Sequence, residues 1–250
     1  MNIKKEIENK NIFIINIFLL PLTEVNQSNM FDKYYYNILW MVLNLFENDE
    51  IIYKDILKIY LYKKDDNLFV GISIFSKETY NKVMSILLEN NKKKELFLWK
   101  NKFVYELNML NLNVFPINYK KLPDKVLLKF LSPTMLREGK IYYYLPNPEK
   151  LFLQVLRKAQ NKWIIWKFNY EEFKKEILNN VYITKYFLKT KQVEIKNNKR
   201  WGMVWEVLYN IKKDNLSKGN LQLLELAYNL IPYFWVWAWT RLWLWNVVIK

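Results

Sequence analysis

Residues 231–250 read IPYFWVWAWTRLWLWNVVIK, with Trp235, Trp237 and Trp239, then Trp243 and Trp245, at alternate positions around Thr240 and Arg241. Indoles can stack unpaired nucleobases, and an arginine among them can pair a phosphate. The same alternation also suits a buried strand with core aromatics or an aromatic belt at a membrane interface. Further cations fall in groups: Arg137 and Lys140 flank a short apolar hairpin, Arg157, Lys158 and Lys162 lie together near the end of a helical stretch, and Arg200 precedes Gly202. Such groups contact phosphates, or simply keep a helix face soluble.

The chain holds no cysteine and no histidine. That excludes disulfides, thiol nucleophiles, serine–histidine triads and the usual zinc ligand sets. Chemistry is left to Lys, Tyr, Asp, Glu, Ser and Arg. Only four glycines occur (Gly71, Gly139, Gly202 and Gly219), so neither a Walker loop nor a dinucleotide fingerprint can be written. The carboxylates show no metal-ligand spacing, so no metal and no cofactor is expected.

Thirty-nine Lys and Arg against 24 Asp and Glu give a net charge of +15 in 250 residues, which favours a polyanionic partner. Nucleic acid and anionic membrane both qualify. The apolar stretch near the N-terminus is broken by Asn16 and preceded by Glu6 and Glu8. It is too short to span a bilayer and makes a poor signal peptide, so a cytoplasmic location without a membrane partner is the expectation.

Periodicity supplies the elements that must position these groups. NIFIINIFLL (11–20) reads as a buried strand, and 29–46 carries Ile38, Leu39, Val42, Leu43 and Phe46 at helical spacing. LKIYLYKK and NLFVGISIF read as a hairpin through a polar turn of Asp65, Asp66 and Asn67; SKETYNKVMSILLENN is a serine-capped helix, and ELFLWKNKFVYEL returns as one strand. This order is βαββαβ, the ferredoxin-like unit of RNA-recognition modules. After a proline-bearing linker at 113–125, residues 126–250 repeat the pattern less regularly, with Asn147 capping a helix that starts at Pro148. The predicted fold class is α+β, two tandem ferredoxin-like (RRM-like) domains, the first over 1–112.

LKFLSPTMLREGKIYYYLPNPEKLFLQVLRK (128–158) resembles the middle of the CRISPR-associated repeat-RNA endoribonucleases of the RAMP superfamily: a strand with Ser-Pro-Thr, a hairpin, Pro-x-Pro and a helix. The resemblance implies tandem ferredoxin-like domains and metal-independent cleavage of CRISPR repeat transcripts, leaving a 2′,3′-cyclic phosphate and a 5′-hydroxyl. It implies repeat RNA as partner, with effector-complex subunits and a second copy of the chain as further candidates.

Relatives carry G-x-G-x-x-T-x-x-G-x-G after a long helix, close to the RNA. Here the frame around Thr240 is kept with tryptophan in the glycine slots, and Trp99 and Trp205 also fall where glycine is common. Four glycines and eleven tryptophans, against a usual glycine share of about 7%, fit a single cause: UGA triplets read as glycine in the living cell and as tryptophan in this sequence. Glycine allows positive φ and close approach of amides to phosphate; tryptophan blocks both but can stack bases.

Members of the family use a histidine, aided by Tyr and Lys, to promote attack of a ribose 2′-hydroxyl on the adjacent phosphate. The resemblance sets Lys58 near that place, with Lys54, Lys33 and Tyr36 as helpers. It assigns Arg137, Lys140, Arg157, Lys158, Lys162, Arg200 and the segment Trp235–Trp245 to RNA. Two other readings stand beside it: a non-catalytic RAMP subunit that holds guide RNA, favoured by the missing histidine, and a basic, Trp-anchored peripheral membrane protein.

Overall fold

The computed structural model describes residues 11–21, 35–46, 49–64, 67–89, 95–98, 101–107, 113–116, 120–134, 136–138, 141–143, 147–162, 164–195, 198–234 and 247–249. Its first sheet takes β1 (Asn11–Pro21), β2 (Ile56–Lys64), β3 (Asn67–Ile74), β4 (Glu95–Leu98) and β5 (Asn101–Leu107) in the order β2-β3-β1-β5-β4. The helices are α1 (Tyr35–Leu43), α2 (Glu50–Asp55) and α3 (Lys77–Glu89). Reading β5 as the fourth strand, the order 2-3-1-4 is the ferredoxin-like one.

β1 lies between β3 and β5, and its Ile12, Ile15, Ile17 and Leu19 are all essentially inaccessible. Phe13 stacks on Tyr80 of α3, ring centroids 4.9 Å apart, so the helices cover the face of Phe13, Ile15 and Ile17. The other face bears Asn16 and Phe18. Ser76 caps α3, its hydroxyl accepting from the Thr79 amide at 3.2 Å.

Two features differ from the sequence reading. Helix α2 was not expected; Asp49 starts it, its carboxylate accepting from the amides of Ile51 (2.9 Å) and Ile52 (3.2 Å). Residues 95–107 form two strands rather than one, with Leu98 opposite Asn101 and a two-residue connection at 99–100. Lys100, Asn101 and Lys102 interrupt the apolar run at this point, a break that the reading of one continuous strand passed over. The other three two-residue connections hold Asp65-Asp66, Gly139-Lys140 and Lys196-Asn197, residue types that favour tight turns.

The second sheet comprises β7 (Lys125–Thr134), β10 (Val181–Ile195), β11 (Asn198–Ile211) and β12 (Val247–Ile249), in the order β10-β11-β7-β12. With α4 (Pro148–Asn161) and α6 (Lys218–Leu230) this is a second 2-3-1-4 unit. The hairpin β8 (Leu136–Glu138) and β9 (Ile141–Tyr143) and the helix α5 (Tyr170–Asn180) are additions to it. Asn147 caps α4 as expected, accepting from the Glu149 amide at 3.2 Å, with Pro148 in the first turn. Leu151, Phe152, Val155, Leu156 and Ala159 line its buried face.

The segment between the units is tied down. Residues Asn113–Pro116, at the start of the stretch read as a linker, form β6 and pair with β1. Asn229 of α6 bonds both ways to the backbone of Lys120 at 2.8 Å, and the Leu122 amide donates to Glu225 at 3.3 Å. Buried residues of both units form one apolar core. Among the described residues no helix is long and apolar enough to cross a membrane.

Candidate functional site

Lys58, Tyr60 and Tyr62 alternate along β2 and therefore share one face of the first sheet, the face of Asn16 and Phe18 that the helices leave open. A register shift between Ile56 and Lys58 sets this alternation. The Tyr62 hydroxyl donates to Asn16 Oδ1 at 3.1 Å, and its ring stacks on Phe69 at 5.2 Å, with Tyr60 5.7 Å beyond. Tyr60 lies across Gly71 of β3: a Cβ there would sit 2.2 Å from the tyrosine Cζ, so only glycine admits this ring position.

The second unit meets this face through the turn that follows α6. Lys58 Nζ donates to the carbonyl of Pro232 at 3.0 Å and lies 4.6 Å from the Tyr60 ring centroid. Its side chain is 2% exposed. Burial pushes the Lys58 amine down from 10.5 to about 7, so at neutral pH it is divided between charged and neutral forms. The phenols move the other way: burial, then Tyr62 and Tyr233, hold Tyr60 well above its ordinary value, and burial raises Tyr62 and Tyr233. They stay protonated and can only donate or share a hydrogen bond. The site thus offers one amine poised near neutrality among neutral hydroxyls, and no carboxylate of it is described.

A second junction lies between α4 and the first unit. Lys162 Nζ is 3.8 Å from Asp55, whose other oxygen accepts from the Thr79 hydroxyl at 2.5 Å. Burial lowers Lys162 while Asp55 opposes that shift. Lys158 is half-buried and also pushed down by burial. Arg157 is exposed and lies 4.9 Å over the Tyr170 ring.

Thus Lys58 reaches the turn that leads to the C-terminal segment, Lys162 faces Asp55 of the first unit, Lys158 is half-buried on α4, and Arg157 faces solvent. Tyr36 and Lys54 lie on α1 and α2, Arg137 on β8 and Arg200 on β11, with side chains outside the described residues. Lys33, Lys140 and the segment 235–245 with Trp235, Trp237, Trp239, Thr240, Arg241, Trp243 and Trp245 also lie outside them. Sequence reasoning missed Tyr60, Tyr62, Tyr233, Asn16 and Gly71. The pattern Lys-x-Tyr-x-Tyr in a strand, and a lone glycine in its partner strand, were the signals available for three of them.

No family model matches the chain, and no curated protein matches it. Solved structures do. A Cas6 substrate-mimic complex matches at 14% identity and a TM-score of 0.65, over 97% of this chain and 100% of that one. A Cas6 product complex matches at 15% and 0.64, over 96% and 100%, and Thermus thermophilus Cas6 at 14% and 0.66, over 96% and 99%. Over nearly its whole length, this chain has the tandem ferredoxin-like fold of the Cas6 structures.

Proposed function

We propose that the protein is a metal-independent endoribonuclease that processes CRISPR repeat transcripts into guide RNAs. The ribose 2′-hydroxyl attacks the adjacent phosphorus, the bond from phosphorus to the 5′-oxygen breaks, and the products are a 2′,3′-cyclic phosphate and a 5′-hydroxyl. The proton of the 2′-hydroxyl must leave and the 5′-oxygen must gain one. An amine with a pKa near 7 suits either transfer, and its ammonium form stabilises charge on the phosphorane.

The observation that carries this reading is the bond from Lys58 to Pro232, three residues before Trp235. It sets an amine poised near neutrality beside the entry to the segment expected to face RNA. For Lys58 to act, RNA entering the junction must displace the Pro232 carbonyl. Lys54, Lys33 and Tyr36 are its proposed helpers, and Arg137, Lys140, Arg157, Arg200 and Arg241 the proposed phosphate contacts. The net charge of +15 supports a polyanionic substrate. Lys58→Met, which keeps chain length and removes the amine, is expected to lower the cleavage rate of repeat RNA at least about 100-fold with binding retained. Unchanged cleavage would remove Lys58 from the chemistry.

A second reading is a RAMP-type subunit that binds guide RNA without cutting it. The absence of histidine and the 2% exposure of Lys58 favour it. Under this reading the parent protein binds repeat RNA tightly and leaves it intact.

A further inference from the structure

The second sheet turns one face to its helices and leaves the other open. On β11, Val207 and Tyr209 are buried and paired with Leu128 and Val126 of β7, and Phe152 of α4 packs against Tyr209, ring centroids 5.9 Å apart. Alternating with them, Glu206, Leu208 and Asn210 are partly exposed and stand opposite Lys129, Leu127 and Lys125. Residues paired across an antiparallel ladder share a face, so these lie on the side that the helices do not cover. A bulge between Ile183 and Lys185 sets the register of β10 against that side: Lys185 stands opposite Leu208, Phe187 opposite Glu206 and Lys189 opposite Val204. All three are exposed, Phe187 by 57%.

Charge decides what such a face can hold. Lys125, Lys129, Lys185 and Lys189 share it, and among the described residues at these register positions Glu206 is the only carboxylate, held by Lys129 Nζ at 2.5 Å. The other three lysines are left to a polyanion. Arg200 continues the same register side of β11, opposite Val193. Lys189 Nζ lies 5.3 Å from the Phe187 ring centroid. Lys185 precedes the ring by two residues, so a cation stands on each side of it at roughly 7 Å along the strand. A ring flanked in this way suits one stacked base with a phosphate on either side. Phe187 is phenylalanine however the UGA triplets are read. β10 is also an edge strand, and lysines on an edge discourage pairing between chains. An exposed phenylalanine between them works against that role.

We propose that the open face of the second sheet binds an unpaired stretch of the repeat RNA, with one base stacked on Phe187 and its neighbouring phosphates on Lys185 and Lys189. Stacking needs a free base face, which paired nucleotides inside a duplex do not offer. Lys125 extends the basic track across the sheet to β7. The surface rests on the RNA reading given above. Its residues belong to the second unit and Lys58 to the first, so they act on binding and not on the chemical step.

The test is equilibrium binding of labelled repeat RNA, over a series of salt concentrations, to the full chain and to three variants: Phe187→Ala, Phe187→Tyr, and Lys185→Ser combined with Lys189→Ser. Thermal unfolding of each runs alongside and should be unchanged, because the side chains are exposed. Loss of one stacked base predicts at least about fivefold weaker binding for Phe187→Ala, and near-parental binding for Phe187→Tyr. Loss of two phosphate contacts, at about 0.7 each, predicts a salt slope shallower by about 1.4 for the double variant. Crosslinks from 4-thiouridine in the parent complex should map to the strand that contains Phe187. If the parent binds the repeat and both Phe187→Ala and the double variant bind it within twofold at the parental slope, the surface is wrong. A double variant that keeps its RNA affinity but self-associates would overturn it too, leaving the lysines as guards of the edge. If the parent binds no repeat RNA, the RNA reading itself is what fails, and flotation of that parent with anionic vesicles would give the face to a membrane instead.

Discussion

The buried amine at position 58 makes stability depend on pH in a defined window. In the unfolded chain Lys58 holds its proton up to 10.5, and in the folded chain only up to about 7. Between these values the unfolded state binds more protons, so stability rises with pH through that range, and the gain is lost as pH falls from 10.5 to about 7. Each pH unit inside the window is worth at most 1.36 kcal/mol, which gives Lys58 about 2 kcal/mol between pH 7 and pH 9. Higher pH is avoided because the raised phenols of Tyr60, Tyr62 and Tyr233 then act in the opposite direction. Lys58→Met removes this dependence. It also leaves the Pro232 carbonyl without its donor, a loss of about 1–3 kcal/mol that does not vary with pH. Urea unfolding of parent and variant at half-unit steps from pH 7 to pH 9 should show the parent gaining about 2 kcal/mol on the variant. Parallel curves would mean that Lys58 is solvated and would refute the burial argument.

Gly71→Ala should destabilise the fold by about 1–3 kcal/mol, because the added methyl displaces the Tyr60 ring. Urea unfolding of a double variant that also carries Tyr60→Ala should show recovery through a coupling term rather than additive losses. Asp55→Ala leaves Thr79 and Lys162 without their shared partner; a loss of about 1–2 kcal/mol is expected in the same assay, and a neutral result would mean the junction between α4 and the first unit contributes nothing. Intact mass of the protein from its source organism should fit glycine at the family's glycine positions; a mass matching the sequence as written would end the UGA explanation.

Much of the fold is legible in the sequence because its signals are local. The Ile-rich 11–20, the serine before α3 and the Asn147-Pro148 start of α4 each specify an element through burial or capping. The pairing of β4 with β5 was missed because the apolar runs on either side of Lys100, Asn101 and Lys102 were read as one strand. Helix α2 was hidden because six residues are too few for a period, and only the Asp49 cap marks its start. The site was legible in part. Lys58 was reached through the resemblance, but its partner at Pro232 lies 174 residues away in sequence, and no local pattern records such a contact. The pairing of Lys162 with Asp55 is likewise a contact between distant segments that the basic sequence of the helix does not record.

The central claim is metal-free transesterification of repeat RNA. Its most direct test is incubation of the purified protein, in EDTA, with its locus's repeat RNA and with a matched RNA carrying one 2′-deoxy substitution at the cut site. A single cut in the first RNA, ending in a 2′,3′-cyclic phosphate, and no cut in the second is the expected result. Tight binding with neither RNA cut, or equal cutting of both, would contradict it.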